Sequence, residues 1–407
     1  MKNVIVGQSG GPTAVINASL AGVFSMAKKC GADKVYGMRN GIQGLLDERY
    51  VLLDDVLKSD LELELLKKTP ASFLGSCRFK LPDFEKDKET YEKIFATLKK
   101  LEIAAFIYIG GNDSMDTIRK LADYAELTGS DIKFVGAPKT IDNDLAQTDH
   151  TPGYGSAAKY VATAVREAIR DEVVYSTQKT IYVVEIMGRN AGWLTAAAAL
   201  SRGEGCTGPD LIYLPESNFD MADFDARIEA LLKVKNNLLI AVSEGIHDDK
   251  GTFICEYAAA DKAVDAFGHK QMGGTAAFLA AYCEKFKAKT RAIELSTLQR
   301  SAAHIASLTD VNEAFASGGA AVKAALEGKN GLMAVFERVS DEPYLCTIGL
   351  KDVHQIANDE RCVPAEWITE GGTDVSEEFM KYARPLIIGE SYPLMVDGIP
   401  KHLVLED

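Results

Sequence analysis

The chain reads as α/β, with two Rossmann-like three-layer α/β/α domains and a cleft between them. Three observations predict this. Short apolar runs alternate with helical registers along most of the 407 residues. Glycine-rich stretches follow two of the early runs, at Gly7-Gln-Ser-Gly-Gly-Pro12 and Gly110-Gly-Asn-Asp-Ser114. The same alternation then restarts at Thr180-Ile-Tyr-Val-Val-Glu-Ile186. Strands alternating with helices imply parallel sheets whose following loops share one edge, where ligands of open α/β sheets bind.

Taken in order, Val4-Ile-Val6 opens as a buried strand, and Ile16, Leu20, Val23, Phe24 and Ala27 mark one face of a helix ending near Lys28, Lys29 and Gly31. Gly10 and Gly11 then lie in a strand-to-helix loop, either a phosphate cradle or a plain turn. Val35-Tyr36-Gly37 suits a second strand, and residues 54–66 suit an acidic amphipathic helix. Ser72 to Arg78 is a small-residue loop, and Tyr91, Ile94, Phe95, Leu98 and Leu101 form another helical face. Ile103 to Ile109 is a strand, residues 118–125 follow in helical register, and Ile132, Phe134 and Val135 make the next strand, which Pro138 is expected to stop.

The stretch Gly136-Ala-Pro-Lys-Thr-Ile-Asp-Asn-Asp144 concentrates a cation, a hydroxyl and two carboxylates in one turn, a place for chemistry on an alcohol. Beyond it come a helix from about Ser156 to Asp171, the strand 180–186, and Met187-Gly-Arg189 as its loop. Trp193 to Leu200 reads as helix, and Leu211 to Leu214 and Leu238 to Val242 as strands. A helix over 274–286, a strand at Arg291 to Leu295, Ala-rich helices to about Leu326 and a strand at Met333 to Phe336 complete the pattern. The last seventy residues show no clear topology.

Composition narrows the function. A formal net charge of −14 opposes nonspecific binding to nucleic acid or membrane surfaces, so an anionic substrate needs locally clustered Arg and Lys. No apolar run reaches the ~18 residues that span a bilayer. Seven scattered cysteines without a Cys-x-x-Cys pair suggest reduced thiols, hence a cytoplasmic protein, and dispersed histidines make a structural zinc site unexpected. Taken singly, each polar motif has an ordinary structural reading: turns at Gly110–Ser114, capping at Asp142 and Asp144, strand ends at Met187–Arg189 and Glu244, and salt bridges at Arg78, Arg291 and Arg300. Their shared position after successive strands is what favours a site.

Gly110-Gly-Asn-Asp-Ser114, Pro138-Lys-Thr-Ile-Asp-Asn-Asp144, Met187-Gly-Arg189, Glu244-Gly245 and Leu298-Gln-Arg300 together resemble, in order and spacing, the 6-phosphofructokinase family over roughly residues 1–340. The resemblance implies that family's fold, with 1–138 plus part of 246–296 binding a phosphoryl donor and 139–245 plus part of 297–340 binding fructose 6-phosphate. Residues 341–407 would be an extension.

By that resemblance Asp142 is the general base on the sugar's 1-hydroxyl, with Asp144 beside it, Thr140 on the transferring phosphoryl group and Arg189 on its charge. The sugar phosphate is expected against Thr140, Ile141, Asp142, Met187, Gly188, Arg189, Glu244, Thr297 and Arg300, with Arg291 reaching it across a subunit boundary. Gly11, Arg78, Asp113 and Lys139 would hold the donor. A Mg²⁺ ion would lie near Asn112 and Asp113, although Asn112 stands where many relatives carry an aspartate, the better ligand for a hard cation. A homodimer or homotetramer with shared sugar sites is implied.

The donor is read from two positions. ATP-using relatives resemble Gly-Gly-Asp-Gly-Ser and Pro-Gly-Thr-Ile-Asp-Asn-Asp, whereas this chain carries Asp113 and Lys139 in place of two of those glycines, which is similar to the diphosphate-dependent branch. A carboxylate ~4 Å from ATP's α-phosphate at an effective dielectric of about 20 repels by roughly 4 kcal/mol, or about a thousandfold. Diphosphate ends before that point. An ATP-dependent 6-phosphofructokinase and a catalytically silent sugar-phosphate sensor are the alternatives; a Rossmann dehydrogenase lacks its Gly-x-Gly-x-x-Gly signature.

Overall fold

The computed structural model describes residues 3–258, 273–356 and 359–405. In chain order its longer strands are β1 (Asn3–Gln8), β2 (Val35–Met38), β3 (Tyr50–Leu52), β4 (Ile103–Gly110), β5 (Lys133–Pro138), β6 (Thr180–Ile186), β7 (Leu211–Tyr213), β8 (Asn237–Ser243), β9 (Lys289–Glu294), β10 (Leu332–Asp341) and β11 (Tyr344–Asp352). They form a seven-stranded sheet, ordered β11-β10-β5-β4-β1-β2-β3, and a four-stranded sheet, ordered β7-β8-β6-β9. The second is parallel throughout; the first is parallel except at its edges, β3 and β11.

Both sheets are covered on two faces, which is why their strands are apolar at successive rather than alternate positions. In the first sheet Ile5, Phe106 and Phe134 pack with Tyr91, Ile94 and Ile118 of the helices Lys88–Lys100 and Asn112–Thr128. Their neighbours Val4, Val6, Ile107 and Val135 face Leu20, Val23 and Val322 of the helices Ile16–Lys29 and Leu308–Leu326. Those last two helices cross so closely that a Cβ on Gly22 would stand 1.9 Å from Phe315 O and one on Gly318 2.0 Å from Ser19 O, a contact open only to glycine. The second sheet alternates likewise, with Tyr182, Val184 and Ile186 in one core and Ile181 and Val183 in the other.

β1 sends its helix to one face and β4 sends its helix to the other, so the chain reverses direction of travel across the sheet between these adjacent strands. A gap between diverging loops opens at such a switch point. Here it lies under Gly10–Gly11 and Gly111–Ser114, two of the loops predicted to matter.

Several expectations need correcting. The domain division reverses at two places: β9 pairs with β6 in the second sheet, while the helix Leu308–Leu326 and β10 belong to the first. The reason is pairing, because β10 runs parallel to Val135 and Gly136 in the middle of β5 and so joins that sheet. The expected helix over 54–66 is two, Leu53–Val56 and Asp60–Lys68. Pro138 remains within β5 as its last residue, opposite Gly110. Residues 341–407 are no appendage. β11 extends the first sheet, Val363, Phe379, Tyr382 and Leu386 enter a core of the second, and Leu403 and Leu405 return to the first. Residues 259–272, within the donor-domain allocation, fall outside the described residues.

Candidate active site

The loops at the carboxyl ends of both sheets enclose a cleft of about 1040 Å³. The first sheet contributes Ser9 to Thr13, Gly111 to Ser114 and Lys139 to Asp142 with Asp144, and the second contributes Glu185 to Met187, Arg189, Glu244, Glu294 and 296–300 except 298.

On the first wall, Gly10 holds a left-handed φ of 76° and donates its amide to Cys77 O at 3.3 Å. Gly110 is required because a Cβ there would meet Ser114 Oγ at 1.9 Å. This tight approach starts the helix Asn112–Thr128, whose first turn carries Asp113, exposed on the rim. A helix start with open amides suits an anion. Lys139 crosses beneath these loops, 3% exposed, and donates from Nζ to Gly11 O at 2.7 Å. Burial lowers its pKa to about 8 against the opposing pull of Asp142 and Asp144, with Arg300 and Arg78 adding to the lowering.

The turn after β5 stands between the walls. Thr140 Oγ1 accepts from Asp142 N at 3.0 Å, which folds the chain back at once. Asn143 adopts φ 56° and is fully buried, while Asp142 and Asp144 on either side of it line the cleft. Burial raises the pKa of both carboxyls, and for Asp142 the charges of Asp144 and Glu244 raise it further. Lys139 works against the shift in each case.

The second wall is knit by its own loops. Met187 N donates to Gln299 Oε1 at 3.2 Å, Glu244 N to Ile186 O at 2.9 Å, and Ser243 Oγ to Gly188 O. Burial raises the Glu244 carboxyl, opposed by the Gly188 amide and by Arg189 and Arg300. Arg300 extends toward the first wall, its Nη1 3.4 Å from where a Gly11 Cβ would stand. Its Nε is buried without a hydrogen-bond partner among the described residues, an open donor at the meeting of the two walls.

The structure thus gathers Gly11, Arg78, Asn112, Asp113, Lys139, Thr140, Ile141, Asp142, Asp144, Met187, Arg189, Glu244, Thr297 and Arg300 around one space. Gly188 supports it through its backbone. Arg291 is not among the lining residues: it is exposed on the edge strand β9, its guanidinium 5.7 Å from the Tyr182 ring centroid. Asn112 spends its amide nitrogen on Asp359 O at 2.8 Å.

Sequence reasoning missed three carboxylates of the cleft: Glu185, Glu294 and Glu360. Glu185 had a signal, a carboxylate inside an otherwise apolar strand. Burial, with Glu294 and Glu244, pushes its pKa up to about 6 although it accepts from Ala276 N at 2.8 Å. Glu360 had none, since it arrives from the far end of the chain to bond Asn190 Nδ2 at 3.2 Å. Away from the cleft, ligand atoms of His150, Glu313 and Cys346 lie within 4.8 Å of one another. His150 already bonds Asp149 and Glu313, and these bonds outweigh its burial to raise it to about 9, so it is a buried imidazolium rather than a free ligand. All seven cysteines are free thiols.

Residues 3–325 match the family model described as phosphofructokinase. The chain is 42% identical over 409 residues to a pyrophosphate–fructose 6-phosphate 1-phosphotransferase of Xanthomonas campestris pv. campestris (strain B100), covering all of this chain and 96% of that one. It superimposes with a TM-score of 0.89 on a crystal structure described as a pyrophosphate-dependent phosphofructokinase from Nitrosospira multiformis, at 38% identity over 98% of this chain and 95% of the other. A similarly described structure from Marinobacter aquaeolei gives 0.88 at 36% identity, covering 100% and 98%.

Proposed function

The chain belongs to the phosphofructokinase family, and from that premise we propose that it transfers a phosphoryl group from diphosphate to the 1-hydroxyl of fructose 6-phosphate. The products are fructose 1,6-bisphosphate and orthophosphate. The observation that carries the donor assignment is Lys139, a buried cation joined to the donor-side loop at Gly11 and electrostatically coupled to Asp142. Full-length similarity to relatives named for diphosphate supports the same reading over an ATP-dependent enzyme or a silent sensor.

Asp142 accepts the proton of the 1-hydroxyl; the freed oxygen attacks the nearer phosphorus, the bridging P–O bond breaks, and orthophosphate departs. Burial suits Asp142 to this work by lifting its basicity toward neutral pH. Lys139 and Arg189 neutralise charge on the transferring and leaving groups, and Thr140 positions the reacting phosphoryl group. Glu244 and Met187 take the sugar, while Arg300 bridges the two reactants. Asp113 closes the rim against an α-phosphate. Exchanging one phosphoryl bond for another of comparable energy makes the reaction reversible, serving glycolysis in one direction and gluconeogenesis in the other.

Carboxylate oxygens suit a hard divalent cation, and Asp113, Asp142, Asp144 and Glu360 all line one cleft. We assign Mg²⁺, which Asp113 and the Asp142–Asp144 turn would hold, with Asn112 beside them. When bound it supplies charge neutralisation to the diphosphate oxygens. Arg291 would act on a partner's sugar site in a dimer or tetramer. No helix among the described residues is long and apolar enough to cross a membrane; with seven free thiols this supports a cytoplasmic setting.

A turnover assay with fructose 6-phosphate and Mg²⁺ tests the reading. Product with diphosphate at a rate well above that with ATP is expected; preference for ATP would overturn the donor assignment.

A further inference from the structure

The Asp142–Asp144 turn is held from behind by the C-terminal seventy residues, which share no motif with the cleft. Asn143, between the two carboxylates, points inward and is bonded at both ends of its amide. Oδ1 accepts from Thr151 N at 3.1 Å, and Nδ2 donates to Tyr382 Oη at 2.8 Å. Tyr382 Oη in turn donates to Asp149 O at 2.7 Å and accepts from Arg361 Nη2 at 3.4 Å. Arg361 grips the same stretch a second time: its amide donates to Asp144 O at 2.8 Å, and its Nη1 donates to Thr148 O at 3.3 Å and to Asp149 O.

We propose that Tyr382, backed by Arg361, is a positioning residue: its hydroxyl, acting through Asn143, sets where Asp142 and Asp144 point into the cleft. The proposal rests on the phosphotransferase reading for its kinetic consequence but not for its geometry. Asp142 and Asp144 repel across the single residue between them, and that residue, Asn143, stands at a φ of 56°, a left-handed conformation that Asn tolerates best among non-glycine residues. Opposed bonds from the Asn143 amide are what keep that backbone in place while its neighbours face outward.

The alternative is that Tyr382 only packs. Its ring lies 5.3 Å from Trp193 and 5.4 Å from Trp367, centroid to centroid, and Arg338 and Arg361 cover it at 4.6 and 5.5 Å. Ring and hydroxyl therefore have separate tasks, and Tyr382→Phe keeps the first while deleting the second. A displacement of a reacting group by about 1 Å can cost on the order of a hundredfold in rate. Tyr382→Phe is expected to lower kcat by about ten- to a hundredfold with both KM values within about threefold.

Two further readouts separate positioning from packing. In a double-variant cycle with Asn143→Gly, which tolerates the positive φ, the losses should not multiply, since both changes cut one connection. Amide hydrogen exchange in Tyr382→Phe should accelerate in the peptide over 140–144 and stay unchanged in the helix Tyr154–Glu172. Exchange also separates the two ideas: if the wild type transfers nothing from diphosphate, the activity reading falls and exchange at 140–144 still decides the positioning. Unchanged exchange there, acceleration spread evenly over the chain, or losses that multiply in the double variant would each overturn the proposal.

Discussion

The two walls of the cleft are built from the same strand–loop–helix unit but present opposite chemistry. The first offers the start of the helix Asn112–Thr128 and the buried cation Lys139, with Arg78 near. The second contributes Glu185, Glu244 and Glu294 together with Arg189 and Arg300. An inorganic phosphate offers acceptors and negative charge, so donors and cations receive it; sugar hydroxyls must also donate, so carboxylates receive them. The contrast teaches that the fold supplies two equivalent rims and that a few side chains decide which reactant each takes.

The strongest way to break the contrast is at the turn between the walls. Asp142→Asn should cut kcat by about 10³-fold or more while leaving both KM values near their wild-type level, as expected for a base that acts in the transition state; steady-state kinetics with each substrate varied check this. Lys139→Gly removes the first wall's cation and is expected to reduce kcat/KM for diphosphate by about a hundredfold. Combined with Asp113→Gly it should raise use of ATP, and parallel assays with the two donors show whether the preference moves. On the opposite wall, Glu244→Gln loses a charged acceptor and should raise KM for fructose 6-phosphate by about tenfold, with diphosphate binding nearly untouched.

The smallest effect sharpens the comparison by pH. Burial holds Lys139 near 8, so the free protein carries this charge below that pH and loses it above. The value of kcat/KM for diphosphate should therefore fall as pH rises through about 8, whereas that for fructose 6-phosphate measured at saturating diphosphate should fall later, because the bound anion keeps the ammonium protonated. Pre-steady-state binding of diphosphate across pH 7–9.5 would expose a different origin for the limb, namely if Lys139→Arg retained the same midpoint.

What could be read before any coordinates was whatever local chemistry dictates. The apolar runs at 103–109 and 180–186 are strands because both sheet faces are covered, and their loops are legible because glycine, proline, Asp and Asn bias the backbone within a few residues. The resemblance then attached roles to Asp142, Lys139 and Arg189. By contrast the helix expected over 54–66 broke in two, and β9 and β10 exchanged sheets, because pairing partners are chosen across the whole chain.

The amino-acid order by itself therefore determined the α/β class and the loops that line the cleft, among them the two that carry Asp113 and Lys139. Only the tertiary structure decided that Glu185, Glu294 and Glu360 join the cleft, that Arg291 faces away from it, and that Tyr382 meets Asn143 across 239 residues. The physical reason is range: backbone preferences act over a few neighbours, whereas a hydrogen bond between distant residues exists only once packing has brought them within about 3 Å.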